Sequence, residues 1–170
     1  MTRNQVTQHT APNSLVVRNQ QRDCPLNTPY LKQLFRDHLA AQLGLGQFQI
    51  AVHLVSSHIM AEVNQEHLNH QGATDVITFN YQELGTDRLL GDMLICPAVA
   101  RKQAREFETS WQSEIVRYFI HGILHLQGHD DQRATDRRIM KREEDRRLRV
   151  LLSRHPLYVR RITRKPTGVA

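Results

Sequence analysis

The stretch His121-Gly-Ile-Leu-His125-Leu-Gln-Gly128-His129-Asp130-Asp131 constrains this chain more than any other. In a helix, residues four apart are rotated by about 400°, so their side chains lie about 40° apart on one face. His121 and His125 therefore project together, one turn apart. Two imidazoles so placed can share one tetrahedral metal at about 2.0–2.1 Å each. The residues around them (Ile115, Phe119, Ile120, Ile123, Leu124 and Leu126) make this a largely buried helix. Unpartnered imidazoles are costly in such a setting. A glycine inside a helix costs around 1 kcal/mol against alanine, so Gly122 implies a need for space. Two unrelated histidines of an ordinary core helix would leave both features without a reason.

Gly128 breaks the helix and lets the chain fold back with a third ligand. Two residues qualify: Asp131, ten after His121, and His129, eight after. In the extended zinc-protease motif the turning glycine is the seventh residue after the first histidine and the third ligand is the tenth. Here those places are Gly128 and Asp131, so the spacing favours Asp131, with His129 as the alternative. Those proteases also need a glutamate directly after the first histidine as proton acceptor. That place is Gly122, so a peptidase is not expected. One Zn2+ per chain is expected, although two histidines and a carboxylate also suit iron, nickel or manganese.

The rest of the chain reads as strands and helices mixed, with a helical C-terminal half. Leu15 to Val17 is a short strand, and Thr28 and Pro29 start a helix as N-cap and first helical residue. Leu31, Leu34, Phe35, His38, Leu39 and Leu43 line its apolar face, and Gly44 closes it. Alternation predicts a strand over 48–55. Ser56 or Ser57 caps a helix to about His67, with Ile59, Met60 and Val63 inward. Asp75 to Phe79 is a strand, and Leu89 to Cys96 another, interrupted by Gly91-Asp92. Helices follow over Pro97 to Phe107, Ser110 to Gln127 and Arg133 to Ser153. The fold class is α+β, with a small sheet and five helices.

Charge points to a partner. The net charge is +6, but residues 133–165 hold thirteen Arg and Lys against four Asp and Glu. A basic end on a near-neutral body suggests nucleic acid. Arg137, Arg138, Arg142 and Arg146 are the leading nucleic-acid-binding candidates, with Lys141, Arg147, Arg149, Arg160, Arg161, Arg164 and Lys165 behind them. Mean hydropathy is −0.54, and no stretch approaches the roughly 20 apolar residues of a membrane helix. The first residues have no apolar signal core, so the expected compartment is the cytoplasm. Cys24 and Cys96 are expected as buried thiols rather than a disulfide framework.

These blocks together resemble the YbeY family, bacterial single-domain endoribonucleases and rRNA maturation factors. The family signature is close to H-G-x-L-H-L-x-G-Y-D-H, and this chain reads H-G-I-L-H-L-Q-G-H-D-D from His121 to Asp131. Upstream, Thr74-Asp75-Val76-Ile77-Thr78-Phe79 is similar to the family's T-D-V-L-S-F. Gly91-Asp92 before Met93-Leu94-Ile95 resembles its Gly-Asp before an apolar strand. The resemblance covers roughly residues 12–153. It implies a small mixed sheet, a zinc site at a helix end, and single-stranded RNA as substrate. It also implies roles in ribosomal RNA maturation at the 16S 3′ end and in ribosome quality control.

Carried over by residue, the resemblance puts His121 and His125 at the first two metal positions. The family's third histidine falls on Asp131, its tyrosine on His129, and an arginine six residues before the threonine of T-D-V on Leu68. Asp75 and Asp92 are catalytic candidates because they lie in matched blocks; each could equally cap or turn at a strand. The expected organisation is a loose N-terminus over 1–12, one metal-dependent endoribonuclease domain over 13–155 and a basic tail over 156–170. The expected partners are single-stranded RNA, the rRNA precursor and the ribosome, with no membrane. The alternative is a ribosome-associated RNA-binding assembly factor with weak or no nuclease activity.

Overall fold

Alternating side chains build the sheet. In β2 (Phe48–Leu54) and β4 (Leu89–Ile95) every second residue is buried and the others are half-buried. With β1 (Ser14–Asn19) and β3 (Val76–Asn80) they form a four-stranded sheet in the order β1-β2-β4-β3. The β1–β2 and β2–β4 pairs are parallel and β3–β4 is antiparallel, so the sheet is mixed. Five helices surround it: α1 (Thr28–Leu43), α2 (Ser57–Leu68), α3 (Pro97–Glu106), α4 (Trp111–Leu126) and α5 (Ala134–Arg154). The computed structural model describes residues 13–43, 47–82 and 88–155. The expected loose N-terminus, the closing role of Gly44 and the basic tail lie outside the described residues, as do Arg160, Arg161, Arg164 and Lys165. Among the described residues no helix is long and apolar enough to cross a membrane. Cys24 and Cys96 are both free and buried.

The main core lies between one sheet face and helices α1, α4 and α5. Ile50, Val52, Leu54, Met93 and Ile95 meet Leu34, Phe35, Leu39, Phe119, Ile123 and Leu124 there. Phe35 stacks on Phe119 at 3.8 Å between ring centroids. A smaller cluster of Val55, Met60, Ile77 and Cys96, with Val63, Phe79 and Leu94, lies apart from it.

Three local expectations need correction. Asn27, not Thr28, caps α1: its Oδ1 accepts the Tyr30 N–H at 3.1 Å and its carbonyl accepts the Leu31 N–H at 3.0 Å. Thr28 is thus already helical. In α2, Ser56 is the cap, but Ile59 is exposed; Met60 and Asn64, one turn apart, form the buried stripe, and Ile59 is about 100° off it. Finally, β4 is not interrupted at Gly91-Asp92. A Cβ at Gly91 would lie 2.5 Å from the Phe79 carbonyl oxygen and 2.7 Å from Leu126 Cδ2. Gly91 is therefore a close-packing position inside the strand.

Gly122 works the same way from the helix side. A Cβ there would meet Met93 Sδ at 2.8 Å and Thr78 Oγ1 at 2.9 Å. Helix α4 rests on β3 and β4 through this point. Gly122→Ala should be destabilising, because overpacking by about 1–3 kcal/mol outweighs the roughly 1 kcal/mol of helix propensity gained. A urea midpoint equal to or above that of the wild type would contradict this contact.

His38, on the apolar face of α1, is fully buried, with its ring edge-on to Phe119 and its Nε2 without a partner among the described residues. Burial, then the positive charge of Arg147, pushes its pKa down to about 3. The folded protein keeps it neutral, while the unfolded chain takes up a proton below about pH 6.5. Stability should be full above that pH and fall as the pH drops toward 3, by at most ~1.4 kcal/mol per pH unit from this group. Urea unfolding of wild type and His38→Leu between pH 7 and 5 should show a shallower loss in the variant. Parallel curves would remove His38 as the cause.

Candidate metal centre

The turn after α4 is a helix-ending motif with glycine in the left-handed region. Gly128 has φ +86°, its N–H donates to the His125 carbonyl at 2.9 Å, and the His129 N–H donates to the Leu124 carbonyl at 3.0 Å. Asp130 Oδ1 then accepts the N–H groups of Asp131 at 2.7 Å and Gln132 at 3.1 Å, closing a second turn. Arg137, in the first turns of α5, donates to the carbonyls of Asp131 and Gln132 at 3.0 and 3.1 Å. These bonds return Asp131 to the two histidines.

The three side chains converge. His121 Nε2 and His125 Nε2 are 3.0 Å apart. Asp131 Oδ2 lies 3.8 Å from the first and 4.0 Å from the second. Ligand atoms on a tetrahedral ion with bonds of about 2.0–2.1 Å are separated by about 3.3 Å, so the observed edges bracket that value. Among the described residues, His121, His125 and Asp131 are the group that could hold a metal ion; the ring of His129 is not part of it. All three are partly exposed, and a cleft of about 210 Å³ opens beside them, lined by His121, Asp131, Arg137, Met140, Lys141 and Glu144. Three protein ligands beside open space is the pattern of a reactive site rather than a closed structural one.

The outer nitrogens explain why a cation fits. His125 Nδ1 faces the His129 carbonyl oxygen at 3.1 Å, which can only accept, so Nδ1 carries the hydrogen. His121 Nδ1 faces Glu144 Oε2 at 3.0 Å and donates to it likewise. With one hydrogen per ring, both Nε2 lone pairs point at each other across 3.0 Å, next to a carboxylate. Only a proton or a metal ion between them relieves that arrangement.

Behind His121 runs a buried ionic chain that the sequence reading did not anticipate. Glu144 on α5 also accepts from Arg117 Nη1 at 2.7 Å, and Arg117 pairs with Glu114 at 3.4 Å and with Asp145. Burial works against the charged form of His121, but the hydrogen bond and charge of Glu144, with Asp75 and Asp131 behind it, raise its pKa. Burial likewise pushes Glu144 up, and the bonds from His121 and Arg117 outweigh it and lower its pKa. The sequence did carry one signal: Met140, Glu144, Leu148 and Leu151 share the buried stripe of α5, which makes Glu144 a carboxylate in an apolar row.

The remaining candidates fall in different places. Asp75 caps the start of β3, its Oδ1 accepting from Thr74 Oγ1 and the Val76 N–H at 2.9 Å each, and its charge reaches His121. Asp92 alternates along β4 with Gly91 and Met93, which face α4. Its side chain therefore lies on the opposite sheet face, in register with Phe79. Of the arginines, Arg137 is engaged by the turn, and Arg146 is bound by both oxygens of Glu143 at 2.6 and 2.7 Å. Arg138 and Arg142 are exposed on α5. Leu68 ends α2 and is half-exposed.

Comparison with known proteins agrees with this architecture. The family described as Endoribonuclease YbeY matches residues 16–151. A Phocaeicola vulgatus protein named Endoribonuclease YbeY is 38% identical over 113 residues, covering 66% of this chain and 80% of that protein. A protein of the same name from Thermotoga petrophila is 30% identical over 118 residues, 69% of this chain and 70% of that protein. A Thermotoga maritima protein of known solution structure superposes with a TM-score of 0.65 at 22% identity, over 92% of this chain and all of that one, which shows a shared fold.

Removing the cation from the buried chain should be costly. Arg117→Met leaves Glu144 and Glu114 buried without their positive partner and should lower stability by about 3 kcal/mol. A urea-derived loss below about 1 kcal/mol would mean that solvent, not Arg117, satisfies these carboxylates.

Proposed function

The chain belongs to the YbeY family, and from that premise we propose that it is a metal-dependent endoribonuclease of ribosomal RNA maturation, holding one zinc ion at His121 Nε2, His125 Nε2 and Asp131 Oδ2. The observation that carries this reading is the meeting of those three atoms while both Nδ1 groups are committed to acceptors. A divalent ion bound there supplies Lewis acidity toward water and a phosphoryl oxygen.

The chain's own groups do the rest. Glu144 and the His129 carbonyl hold the two rings in the tautomer that presents a lone pair inward. Arg137 and Lys141 line the cleft and give it the positive charge that a phosphodiester requires. Asp75 is the matched-block aspartate whose field reaches the centre, and it is assigned the catalytic carboxylate role ahead of Asp92. The substrate is single-stranded RNA, including the 3′ end region of the 16S precursor, and the ribosome is the partner, in the cytoplasm. Gly122 backs directly onto Met93 and Thr78, so the glutamate of a peptidase has no room there.

A second reading is a ribosome-associated RNA-binding factor that cleaves poorly. It is favoured by Asp131 in place of the family's third histidine and by Leu68 in place of its arginine. The two separate on metal content, measured by mass spectrometry on full-length protein reconstituted with zinc, together with cleavage of a single-stranded oligoribonucleotide. Wild type and His129→Ala should hold about one zinc per chain, and His125→Ala and Asp131→Ala should lose zinc and cleavage together. Wild type that binds RNA but takes up no zinc would move the protein to the second reading.

A further inference from the structure

Helix α5 sorts its charges between two faces. At 100° per residue, Met140, Glu144, Arg147, Leu148 and Leu151 lie within about 100° of one another, and all five are buried. Arg138, Lys141, Arg142, Arg146 and Arg149 occupy a separate sector of about 140°, and all five are exposed. Of that sector, the neighbouring acids pair only with Arg146 among the described residues. Glu144 and Asp145 are bound by Arg117. Glu143 is held by Arg146 and Arg147, and Arg146, then Arg147, keep its carboxyl well below the usual range. Arg138, Lys141, Arg142 and Arg149 form no ion pair within the described residues, although each sits on a helix that carries acids.

The exposed sector is also concave. A groove of about 470 Å³ is lined by Arg138, Lys141, Arg142, Asp145, Arg146 and Arg149. Lys141 lines this groove and the metal cleft alike. The two depressions therefore adjoin, and the groove runs from the cleft toward the C-terminal end of α5. From Arg138 to Arg149 the helix rises about 17 Å. That is room for up to about five phosphates at the 3.4 Å rise of a stacked strand.

We propose that the outer face of α5 is a lane for single-stranded RNA flanking the cleavage point, leading the strand away from the metal centre over Lys141 and along Arg142, Arg138 and Arg149. The inference rests on the nuclease reading of that centre and adds a determinant of substrate length to it. Unpaired cations that track a backbone, with no aromatic platform in the groove, bind phosphates without reading sequence. RNA that reaches only the cleft gains nothing from them, whereas RNA long enough to extend along α5 gains several phosphate contacts.

The test uses full-length, zinc-reconstituted protein, fluorescent oligouridylates of 4 and 16 nucleotides, and the triple variant Arg138→Ala/Arg142→Ala/Arg149→Ala. None of these side chains makes an ion pair among the described residues, and unchanged zinc content and urea midpoint verify the fold. Anisotropy across a salt series and kcat/KM for both lengths are measured. The wild type should favour the longer strand by on the order of tenfold, and the variant should lose most of that ratio. Its slope of log affinity against log salt for the longer strand should fall by about 2, near 0.7 per lost phosphate contact. A variant that keeps both the length ratio and the slope overturns the lane. So does a 16-base-pair duplex RNA that competes as well as the single strand. Wild type that never cleaves, yet shows the slope change in the variant, supports the lane while removing the nuclease reading.

Discussion

The close approach of α4 to the sheet is the constraint on which the other features depend. Two glycines permit it from opposite sides: Gly122 on the helix over Met93 and Thr78, and Gly91 on β4 under Leu126. A helix seated this tightly has little freedom to rotate, since a packed interior resists displacement. Its orientation then decides which side chains turn toward α5 and the turn after α4, and those include His121, which meets Glu144, and His125, which meets the His129 carbonyl. The same contact sets the chemistry the site cannot perform. The position next to the first histidine is pressed against the sheet, so no proton-accepting side chain can stand there.

From the other side, α5 completes the centre with charge. Its buried row delivers Glu144 to His121, and Arg117 on α4 holds that carboxylate in its ionised form. A buried carboxylate without such partners would be expensive. With Arg117 and His121 bound, it fixes the tautomer of a ring whose other nitrogen faces the candidate metal position. Arg137 of the same helix clasps the backbone that carries Asp131. One helix thus orients one ligand ring and anchors the loop of another, while four of its outer cations, Arg138, Lys141, Arg142 and Arg149, make no ion pair among the described residues.

Much of the fold could be read from local pattern. The strands over Phe48–Leu54 and Val76–Asn80 and all five helices follow from alternation, caps and apolar spacing, and the YbeY resemblance follows from three ordered blocks. The misreadings share a cause. Gly91 looked like a break because a glycine's packing partner, Leu126, is 35 residues away in the chain. Asn27 outcompeted Thr28 as the cap of α1 because the bond goes to whichever side chain meets the first free N–H groups. Asp75 and Asp92 looked equivalent in sequence, yet from the turn before β3 the charge of Asp75 acts on His121, while strand alternation puts Asp92 on the sheet face away from α4.

By itself, the sequence determined that two histidines share a helix face, that a glycine turns the chain after them, and that the basic charge gathers at the C-terminal end. Those are properties of spacing and composition, set by helix geometry and by the count of charges. Only the tertiary structure decided that the carboxylate of Asp131, rather than the ring of His129, meets the two imidazoles. It also decided that Glu144 and Arg117 stand behind them and that Arg138, Lys141, Arg142 and Arg149 of α5 face outward with no ion pair among the described residues. These depend on distances between segments far apart in the chain, and such distances exist only once α4 has packed on the sheet and α5 has packed on α4.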